Sequence, residues 1–302
     1  MIKLPIGVEI KSLIIDLREI SWEASEILLF YAQILKDPNN KSNIMKNENA
    51  NDPVTLADLN VNKLIIDKIN EKYNDINWEI LSEENVKFAP QKSDIKSDWL
   101  WVLDPLDGTK DFIQGTSNYA MHLSLNYKQR PYIGIVLIPE KDELWISDGN
   151  KVWCEKRDGS IIKPTLSNNQ TLKDMILVTS KNHRNETLID LIGNINFKQV
   201  KNMGSIGCKI ASILRGESDI YISLSLPGRS SPKDWDFAAP EAILKMSGGA
   251  VTDLDNKELI YGKPNFEQGG IIIATNNKDI HKEICNEIKE IIMKLENTSF
   301  LY

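Results

Sequence analysis

The sequence predicts a layered α/β architecture with two subdomains, comprising residues 1–157 and residues 158–302. Three observations support this prediction. The chain begins with segments whose apolar residues recur at helical spacing, and its middle changes to short segments rich in aromatic and β-branched residues. After about residue 157, strand-like and helix-like segments alternate. We therefore expect an antiparallel N-terminal sheet and a smaller C-terminal α/β subdomain.

The N-terminal part of the chain predicts two helices joined by a loop. Apolar residues such as Leu13 and Leu17 recur at helical spacing through residues 8–35, which predicts a long amphipathic helix. The following stretch, 36–52, is rich in Asn and Lys and is typical of a flexible loop. A second helix is predicted over residues 56–73.

The remaining segments supply the strands of the two subdomains. Turns rich in Pro, Gly or charged residues separate the strand-like segments of the middle region, as expected of an antiparallel meander. These predicted strands are 99–103, 119–127, 131–138, 143–147 and 151–155. Beyond them, the predicted strands are 175–179, 219–223, 250–253 and 270–274, and the predicted helices are 184–192, 206–215, 236–246 and 278–295.

Composition excludes several classes of protein. The formal net charge is −7 with scattered lysines and arginines, which argues against binding to nucleic acid or to an anionic membrane surface. The start of the chain has no basic segment followed by an apolar run, and no stretch approaches the ~20 apolar residues of a membrane span. We therefore expect a cytoplasmic protein without integral membrane association. Neither the cysteines nor the histidines have the spacing of a zinc site, and the cysteines Cys154, Cys208 and Cys285 predict no disulfide framework.

Acidic residues stand at the ends of predicted elements in four separated segments. Glu83 and Glu84 follow a predicted strand, and the pair Asp104 and Asp107 follows the apolar run Trp99-Leu-Trp-Val-Leu103. Asp58 and Asp236 each open a predicted helix. Considered singly, each segment has an ordinary explanation as a turn, a solvated strand end or a helix N-cap. Their combination in one chain is what indicates a site.

The turn Asp104-Pro-Leu-Asp-Gly-Thr109 is suited to presenting oxygen atoms to a metal ion. Pro105 fixes one backbone torsion and Gly108 permits a tight turn, so the two aspartates point to one side with the Leu106 carbonyl between them. Hard oxygen donors of this kind suit Mg²⁺. The amide groups of Gly108 and Thr109 open a short helix and are placed to receive a phosphate.

These segments resemble the inositol monophosphatase superfamily. The resemblance rests on Leu-Ser-Glu83-Glu84, on the Asp-Pro-Leu-Asp-Gly-Thr turn and on Trp235-Asp-Phe-Ala-Ala239, in this order and spacing. The earlier Val54-Thr-Leu-Ala-Asp58 also matches, and the resemblance covers roughly residues 10–295. It implies an αβαβα layered sandwich and a phosphomonoesterase that uses two or three Mg²⁺ ions.

The resemblance also implies roles for individual residues. The implied metal ligands are Glu83, Asp104, the Leu106 carbonyl, Asp107 and Asp236, and the implied substrate contacts are Asp107, Gly108, Thr109, Ser205, Lys209 and Asp236. Catalysis is implied for Asp58, Glu83 and Thr109, with the Thr109 hydroxyl oriented by Asp58 and helping to deprotonate the attacking water. Converging carboxylates raise one another's pKa values and repel a phosphate, and Mg²⁺ resolves both problems.

Within the superfamily, Lys110-Asp111-Phe112 resembles the 3′(2′),5′-bisphosphate nucleotidase branch. That branch implies hydrolysis of 3′-phosphoadenosine 5′-phosphate to AMP in sulfur assimilation, lithium sensitivity, and a monomer or homodimer. The segment Gly204-Ser-Ile-Gly-Cys-Lys209 resembles a substrate-binding stretch, with its lysine one position late. Arg229 and Lys233 are further candidate substrate contacts. Pro240 replaces the family's glycine, and we expect it in the first turn of its helix.

Other functions remain open from the sequence. The same chemistry could act on inositol monophosphate or on a sugar bisphosphate, although Lys110-Asp111 favours the nucleotide. A non-catalytic sensor of phosphorylated metabolites is a second possibility, but such relatives usually lose metal ligands. A calcium-binding loop at 253–256 is disfavoured because it lacks the Gly and the distal Glu of an EF-hand.

Overall fold

The computed structural model describes residues 2–47, 54–88, 95–181, 186–225 and 231–299. Its helices are α1 (Ile10–Leu35), α2 (Lys41–Ile44), α3 (Leu56–Lys72), α4 (Glu83–Phe88), α5 (Thr109–Ile113), α6 (Glu186–Ile195), α7 (Ile206–Leu214), α8 (Asp234–Met246) and α9 (Lys278–Ser299). Its strands are β1 (Met45–Asn47), β2 (Val54–Thr55), β3 (Glu79–Ser82), β4 (Trp99–Asp107), β5 (Ala120–Tyr127), β6 (Arg130–Ile138), β7 (Glu143–Ser147), β8 (Val152–Glu155), β9 (Ile161–Ile162), β10 (Ile176–Ser180), β11 (Gln199–Met203), β12 (Ile220–Ser225), β13 (Ala250–Asp253) and β14 (Gly270–Thr275).

Two sheets form the framework of the described chain. The large sheet has the order β3-β4-β5-β6-β7-β8-β9 and is antiparallel apart from the parallel pair β3 and β4. The small sheet has the order β11-β10-β12-β14-β13, in which β10 pairs in parallel with both β11 and β12. The predicted antiparallel meander is therefore confirmed. The division into subdomains at residue 157 stays a prediction.

The helices cover both faces of each sheet, so that helices and sheets alternate in five layers. Helices α1 and α3 pack on one face of the large sheet and share a core with it. Helices α7 and α8 lie between the two sheets, where their apolar residues join a second core. Helices α6 and α9 cover the outer face of the small sheet. The predicted αβαβα sandwich is confirmed.

Helix α8 approaches the large sheet closely because β6 carries a glycine at the crossing. A Cβ atom on Gly134 would lie 2.6 Å from Ala242 Cβ and 2.8 Å from the Ala239 carbonyl oxygen. This contact fixes the height of α8 above the sheet, and with it the position of Asp236 in the first turn. Pro240 is the seventh residue of α8 rather than a first-turn residue as expected. Because proline has no N–H, the Asp236 carbonyl receives no i→i−4 hydrogen bond from it.

The structure differs from the sequence prediction in a few segments. Within the expected flexible loop 36–52, Pro38–Asn40 form a turn of 3-10 helix and residues 41–47 form α2 and the strand β1, which pairs with β2; residues 48–52 lie outside the described residues. Glu83 directly follows the strand β3, as predicted, but it also begins the helix α4, which the sequence does not predict, and β11 is a further unpredicted strand. No helix in the described ranges combines the length and the apolar character needed to cross a membrane.

Candidate active site

Three aspartates from two elements meet between the sheets. Asp104 and Asp107 lie at the C-terminal end of β4, and Asp236 lies in the first turn of α8. One carboxylate oxygen of each lies within 4.8 Å of the corresponding oxygens of the other two. Asp104 and Asp107 are buried, whereas Asp236 is partly exposed. The sequence prediction that these three residues converge agrees with this geometry.

The electrostatics of the cluster fit a divalent cation. Burial raises the pKa of Asp104, and the charges of Glu83, Asp107 and Asp236 raise it further. Burial also raises the pKa of Asp236, followed by the charges of Asp107 and Glu83. Such a set of converging oxygen donors is costly without a positive charge and matches the ligand preference of Mg²⁺. The residues present therefore fit the metal that the sequence analysis implies.

Glu83 lies beside the cluster and is paired with a lysine. A hydrogen bond joins its carboxyl group to Asp104, while Lys87 Nζ lies 2.9 Å from Glu83 Oε1. The same ammonium group lies 3.3 Å from Glu84 Oε1. Glu84 is buried, its Oε2 has no hydrogen-bond partner in the described part of the chain, and burial raises its pKa to about 8. Glu83 thus has a position from which it can share a cation with Asp104.

The carboxylate of Asp107 is held at the N-terminus of α7. Its Oδ2 atom accepts hydrogen bonds from the Ser205 hydroxyl at 2.6 Å and from the backbone N–H groups of Ile206 and Gly207. A carboxylate is stabilised at this end of a helix by the helix dipole and by the unpaired N–H groups. Ser205, predicted as a substrate contact, also caps α7 by accepting from Cys208 N. Its hydroxyl therefore serves the metal cluster directly.

Asp58 and Thr109 form a pair behind the cluster. The Thr109 hydroxyl lies 3.3 Å from Asp58 Oδ1 and 3.0 Å from the Leu106 carbonyl oxygen. Asp58 is itself fixed as part of the capping box of α3, where its Oδ2 accepts from Thr55 N at 2.8 Å. Burial raises the pKa of Asp58 to about 7. Asp58 does not line the cavity, and Thr109, which does, lies between it and the cavity space.

The turn between β4 and α5 has the conformation expected of it. Gly108 has a φ of 89°, and a Cβ atom there would lie 2.8 Å from the Asn118 carbonyl oxygen. Both the left-handed conformation and the close approach require glycine. The helix α5 that follows has only 5 residues, as predicted for a short helix. The Leu106 carbonyl, predicted as a metal ligand, accepts the Thr109 hydroxyl.

A cavity of about 410 Å³ opens from the aspartates. All the predicted site residues except Asp58 line it: Glu83, Asp104, Leu106, Asp107, Gly108, Thr109, Ser205, Lys209 and Asp236. Lys209 is buried; its ammonium group donates to the Ser205 carbonyl at 3.1 Å and lies 5.3 Å from the centre of the Tyr221 ring. Lys233 also lines the cavity, whereas Arg229 lies outside the described residues. The structure thus brings the predicted residues together, and their roles stay predictions.

Two residues near the cluster were not predicted from the sequence. Lys87 follows Glu83 by one helical turn, a spacing that would have indicated the pair if α4 had been predicted. His122, a histidine without metal-ligand spacing in the sequence, is buried and lies 3.3 Å from Asp107 Oδ2. Its position depends on the register of β5 against β4, which no local pattern reveals.

The chain is similar in sequence to a family of known proteins. The family model described as "Inositol monophosphatase family" matches residues 11–293. A 3′(2′),5′-bisphosphate nucleotidase CysQ of Aggregatibacter actinomycetemcomitans is 28% identical over 84% of this chain and 91% of its own length. A fructose-1,6-bisphosphatase/inositol-1-monophosphatase of Thermotoga maritima is 26% identical over 84% of this chain and 89% of its own length.

A solved structure agrees with the family model. Inositol monophosphatase-II of Staphylococcus aureus aligns with a TM-score of 0.69 and 23% identity, covering 95% of this chain and 97% of its own. At this identity the structural likeness establishes the fold alone. The family model, which spans most of the chain, establishes more: the chain belongs to the inositol monophosphatase family.

Proposed function

We propose that this protein is a Mg²⁺-dependent phosphomonoesterase that hydrolyses 3′-phosphoadenosine 5′-phosphate to AMP and phosphate in sulfur assimilation. The main support for this proposal is the lining of the cavity. The aspartate cluster forms the acidic part of a cavity whose wall also carries five lysines, Lys87, Lys110, Lys181, Lys209 and Lys233. The acidic end suits a metal ion and the phosphate to be cleaved, while the lysines suit a second anionic group on the same molecule.

The proposed number of Mg²⁺ ions is two or three, and the convergence of three aspartates beside Glu83 and the Leu106 carbonyl supports it. Asp104, Asp107 and Asp236 would hold one ion, and Glu83 with Asp104 and the Leu106 carbonyl would hold another. When bound, Mg²⁺ lowers the pKa of water and stabilises negative charge on the attacking and leaving oxygens. The buried position of the cluster strengthens these interactions because little water screens them.

The protein's own groups prepare the attacking water. In this proposal the Leu106 carbonyl is a metal ligand, so the Thr109 hydroxyl, which lies within reach of both oxygens, donates its hydrogen bond to Asp58. An oxygen lone pair of Thr109 then accepts a hydrogen bond from the water. Glu83, at the cavity wall, takes up the proton that the water loses. The backbone N–H groups of Gly108 and Thr109 hold the non-bridging phosphate oxygens. The water oxygen forms a new bond to phosphorus and the ester bond breaks. The 3′-oxygen leaves with the bonding electron pair and takes a proton from solvent water to become the hydroxyl of AMP, while Glu83 returns its proton to solvent.

The nucleotide is favoured over other phosphate esters by the cavity wall and by the relatives. A bisphosphate presents a second phosphate away from the metal cluster, and buried Lys209 offers it a charge-assisted hydrogen bond. The name of the Aggregatibacter actinomycetemcomitans relative points to the same substrate class. The name of the Thermotoga maritima relative points to inositol phosphates and sugar bisphosphates, which are the main alternative substrates.

The proposal is tested by phosphate release in the presence of Mg²⁺. The experiment compares kcat/KM for 3′-phosphoadenosine 5′-phosphate, inositol 1-phosphate and fructose 1,6-bisphosphate. We expect a preference for the nucleotide of ~10²-fold or more, which is ~2.7 kcal/mol of differential transition-state binding. A preference for either alternative substrate would keep the metal chemistry and overturn the substrate assignment. Absence of turnover on all three would favour a non-catalytic sensor.

A further inference from the structure

His122 lies in β5 beside β4 and α8, the two elements that carry the aspartate cluster. The antiparallel register places it directly opposite Asp104 of β4. Its side chain is completely buried. The ring Nδ1 lies 3.3 Å from the Trp235 carbonyl oxygen in the first turn of α8, and Nε2 lies 3.3 Å from Asp107 Oδ2. One side chain therefore contacts the residue before Asp236 and the carboxylate of Asp107.

The ring is also confined from the side of α7. A Cβ atom on Gly207 would lie 2.2 Å from His122 Nε2, so α7 has room for the ring only because residue 207 is glycine. The backbone N–H of the same Gly207 donates to Asp107 Oδ2 at 3.2 Å. Helix α7, the ring and the Asp107 carboxylate are thus packed against one another without spare space.

The hydrogen bonding of the His122 ring is unusual for a side chain whose only role is to pack in the hydrophobic core. The Trp235 carbonyl can only accept, so Nδ1 carries a proton in that contact. His122 Nε2 has no hydrogen-bond partner anywhere in the described ranges, although buried polar atoms are normally paired. A hydrophobic side chain at this position would avoid that cost. The contacts of the polar ring with the Trp235 carbonyl and with Asp107 therefore explain its presence better than core packing does.

We propose that His122 is a positioning residue, whose ring keeps the Asp107 carboxylate and the first turn of α8 at the separation that Mg²⁺ binding requires. His122 does not line the cavity, so it touches neither substrate nor metal. Asp107 is held by hydrogen bonds from Ser205 and the α7 backbone, and the His122 ring packs against the same carboxylate oxygen. Asp236 follows Trp235 directly, so a shift of the Trp235 carbonyl moves Asp236 with it. This inference rests on the proposed function, because it takes the aspartates to be the Mg²⁺ site.

The test is calorimetric titration of Mg²⁺ alone into the metal-free full-length protein. Groups that orient metal ligands typically contribute 10- to 100-fold to metal affinity. We expect His122→Ala to weaken Mg²⁺ binding by about tenfold or more. We expect His122→Asn, whose amide can still donate to the Trp235 carbonyl, to recover part of that affinity. At saturating Mg²⁺ we expect kcat of both variants to approach that of the wild type.

His281 provides a matched control. It is the other buried histidine of the described chain, and it hydrogen-bonds Thr252 and Thr275 far from the cluster. His281→Ala should lower Tm but leave Mg²⁺ affinity unchanged. If His122→Ala and His122→Asn both bind Mg²⁺ within twofold of the wild type, the inference is wrong. If the wild type binds no Mg²⁺, the proposed metal site is wrong and the inference fails with it. The two failures are therefore distinguishable.

Discussion

The hydroxyl of Thr109 lies 3.3 Å from Asp58 Oδ1, although 51 residues separate them along the chain. Each is fixed independently. Asp58 is locked into the capping box that begins α3, and Thr109 opens α5 immediately after the left-handed Gly108. Two local features, a capped helix start and a tight turn, thus bring a buried carboxylate to the hydroxyl that faces the cavity. In the proposed mechanism, this pair orients the attacking water without binding a metal ion.

Replacement of Thr109 should separate catalysis from metal binding. Thr109→Val keeps the shape of the side chain but removes the hydroxyl, so we expect kcat to fall by ~10²-fold or more, the usual contribution of positioned proton transfer. Calorimetry should show unchanged Mg²⁺ affinity, since the hydroxyl is not a proposed ligand. Near-normal kcat would contradict the role given to the Asp58–Thr109 pair.

Thr179→Val is the matched control for this variant. Thr179 is buried in β10, and its hydroxyl has no hydrogen-bond partner among the residues described. Since an unpaired buried hydroxyl is costly, we expect Thr179→Val to stabilise the protein by about 1 kcal/mol with unchanged kcat. Urea denaturation measures the first quantity and phosphate release the second.

Metal-free protein should become more stable when one cluster charge is removed. Burial and the neighbouring carboxylates raise the pKa of Asp104 in the folded protein above its ordinary value of 3.8. The protonated Asp104 side chain therefore favours folding below pH 3.8, and this stabilisation is lost as the pH rises and the buried carboxyl group ionises. At pH 7 in EDTA, we expect Asp104→Asn to increase the free energy of unfolding by ~0.5–2 kcal/mol. A destabilised variant would show that the cluster is not under electrostatic strain.

The same variant tests the link between the cluster and Mg²⁺. A ligand that binds only the folded state raises Tm by mass action. Added Mg²⁺ should therefore stabilise the wild type and leave Asp104→Asn almost unchanged. Equal stabilisation of both proteins would place the metal elsewhere.

Two glycines in helices should respond in opposite ways to substitution by alanine. At Gly207 the new Cβ would lie 2.2 Å from His122 Nε2 and 2.8 Å from Val136 Cγ1, so we expect destabilisation of ~1–3 kcal/mol. Gly193 in α6 is exposed and has no atom within 4 Å of such a Cβ, so Gly193→Ala should be neutral or stabilise by up to ~1 kcal/mol. Urea denaturation distinguishes the two, and similar values would contradict the tight packing around His122.

Stability should decrease on mild acidification because of His281. Burial lowers its pKa from 6.5 to about 4, so below pH 6.5 the unfolded chain binds a proton that the folded protein does not. This difference removes roughly 2 kcal/mol of stability between pH 7 and pH 5. His281→Asn lacks this contribution, so its free energy of unfolding should fall less over the same interval. An identical fall in both proteins would contradict the lowered pKa.

The motifs made most of the site predictable from the sequence. A buried strand ending in an acidic turn and a helix beginning with an aspartate indicate a site, and the resemblance to the family implies that Asp104, Asp107 and Asp236 are ligands in it. The change in the period of the apolar residues predicts a layered α/β architecture, and the resemblance implies the αβαβα order of its layers. The boundaries of β7 and β13 agree with the prediction to the residue.

The unpredicted features depend on contacts between distant segments. Ser205 donates to Asp107 across 98 residues, and His122 reaches Asp107 only through the register of β5 on β4. The helix α4 has 6 residues, too few for a helical period to be visible, which is why the sequence predicts the strand before Glu83 but not the helix that begins there. Pro240 continues a helix beyond its first turn because α8 is held between the two sheets.

The most direct test of the account is phosphate release from 3′-phosphoadenosine 5′-phosphate as a function of Mg²⁺ concentration, for the wild type and for Asp107→Asn. We predict release that is absent in EDTA, rises to saturation with Mg²⁺ in the wild type, and stays orders of magnitude lower in a folded Asp107→Asn variant. Release that persists in EDTA, or near-normal turnover by Asp107→Asn, would contradict the claim that the aspartate cluster performs metal-dependent phosphate hydrolysis.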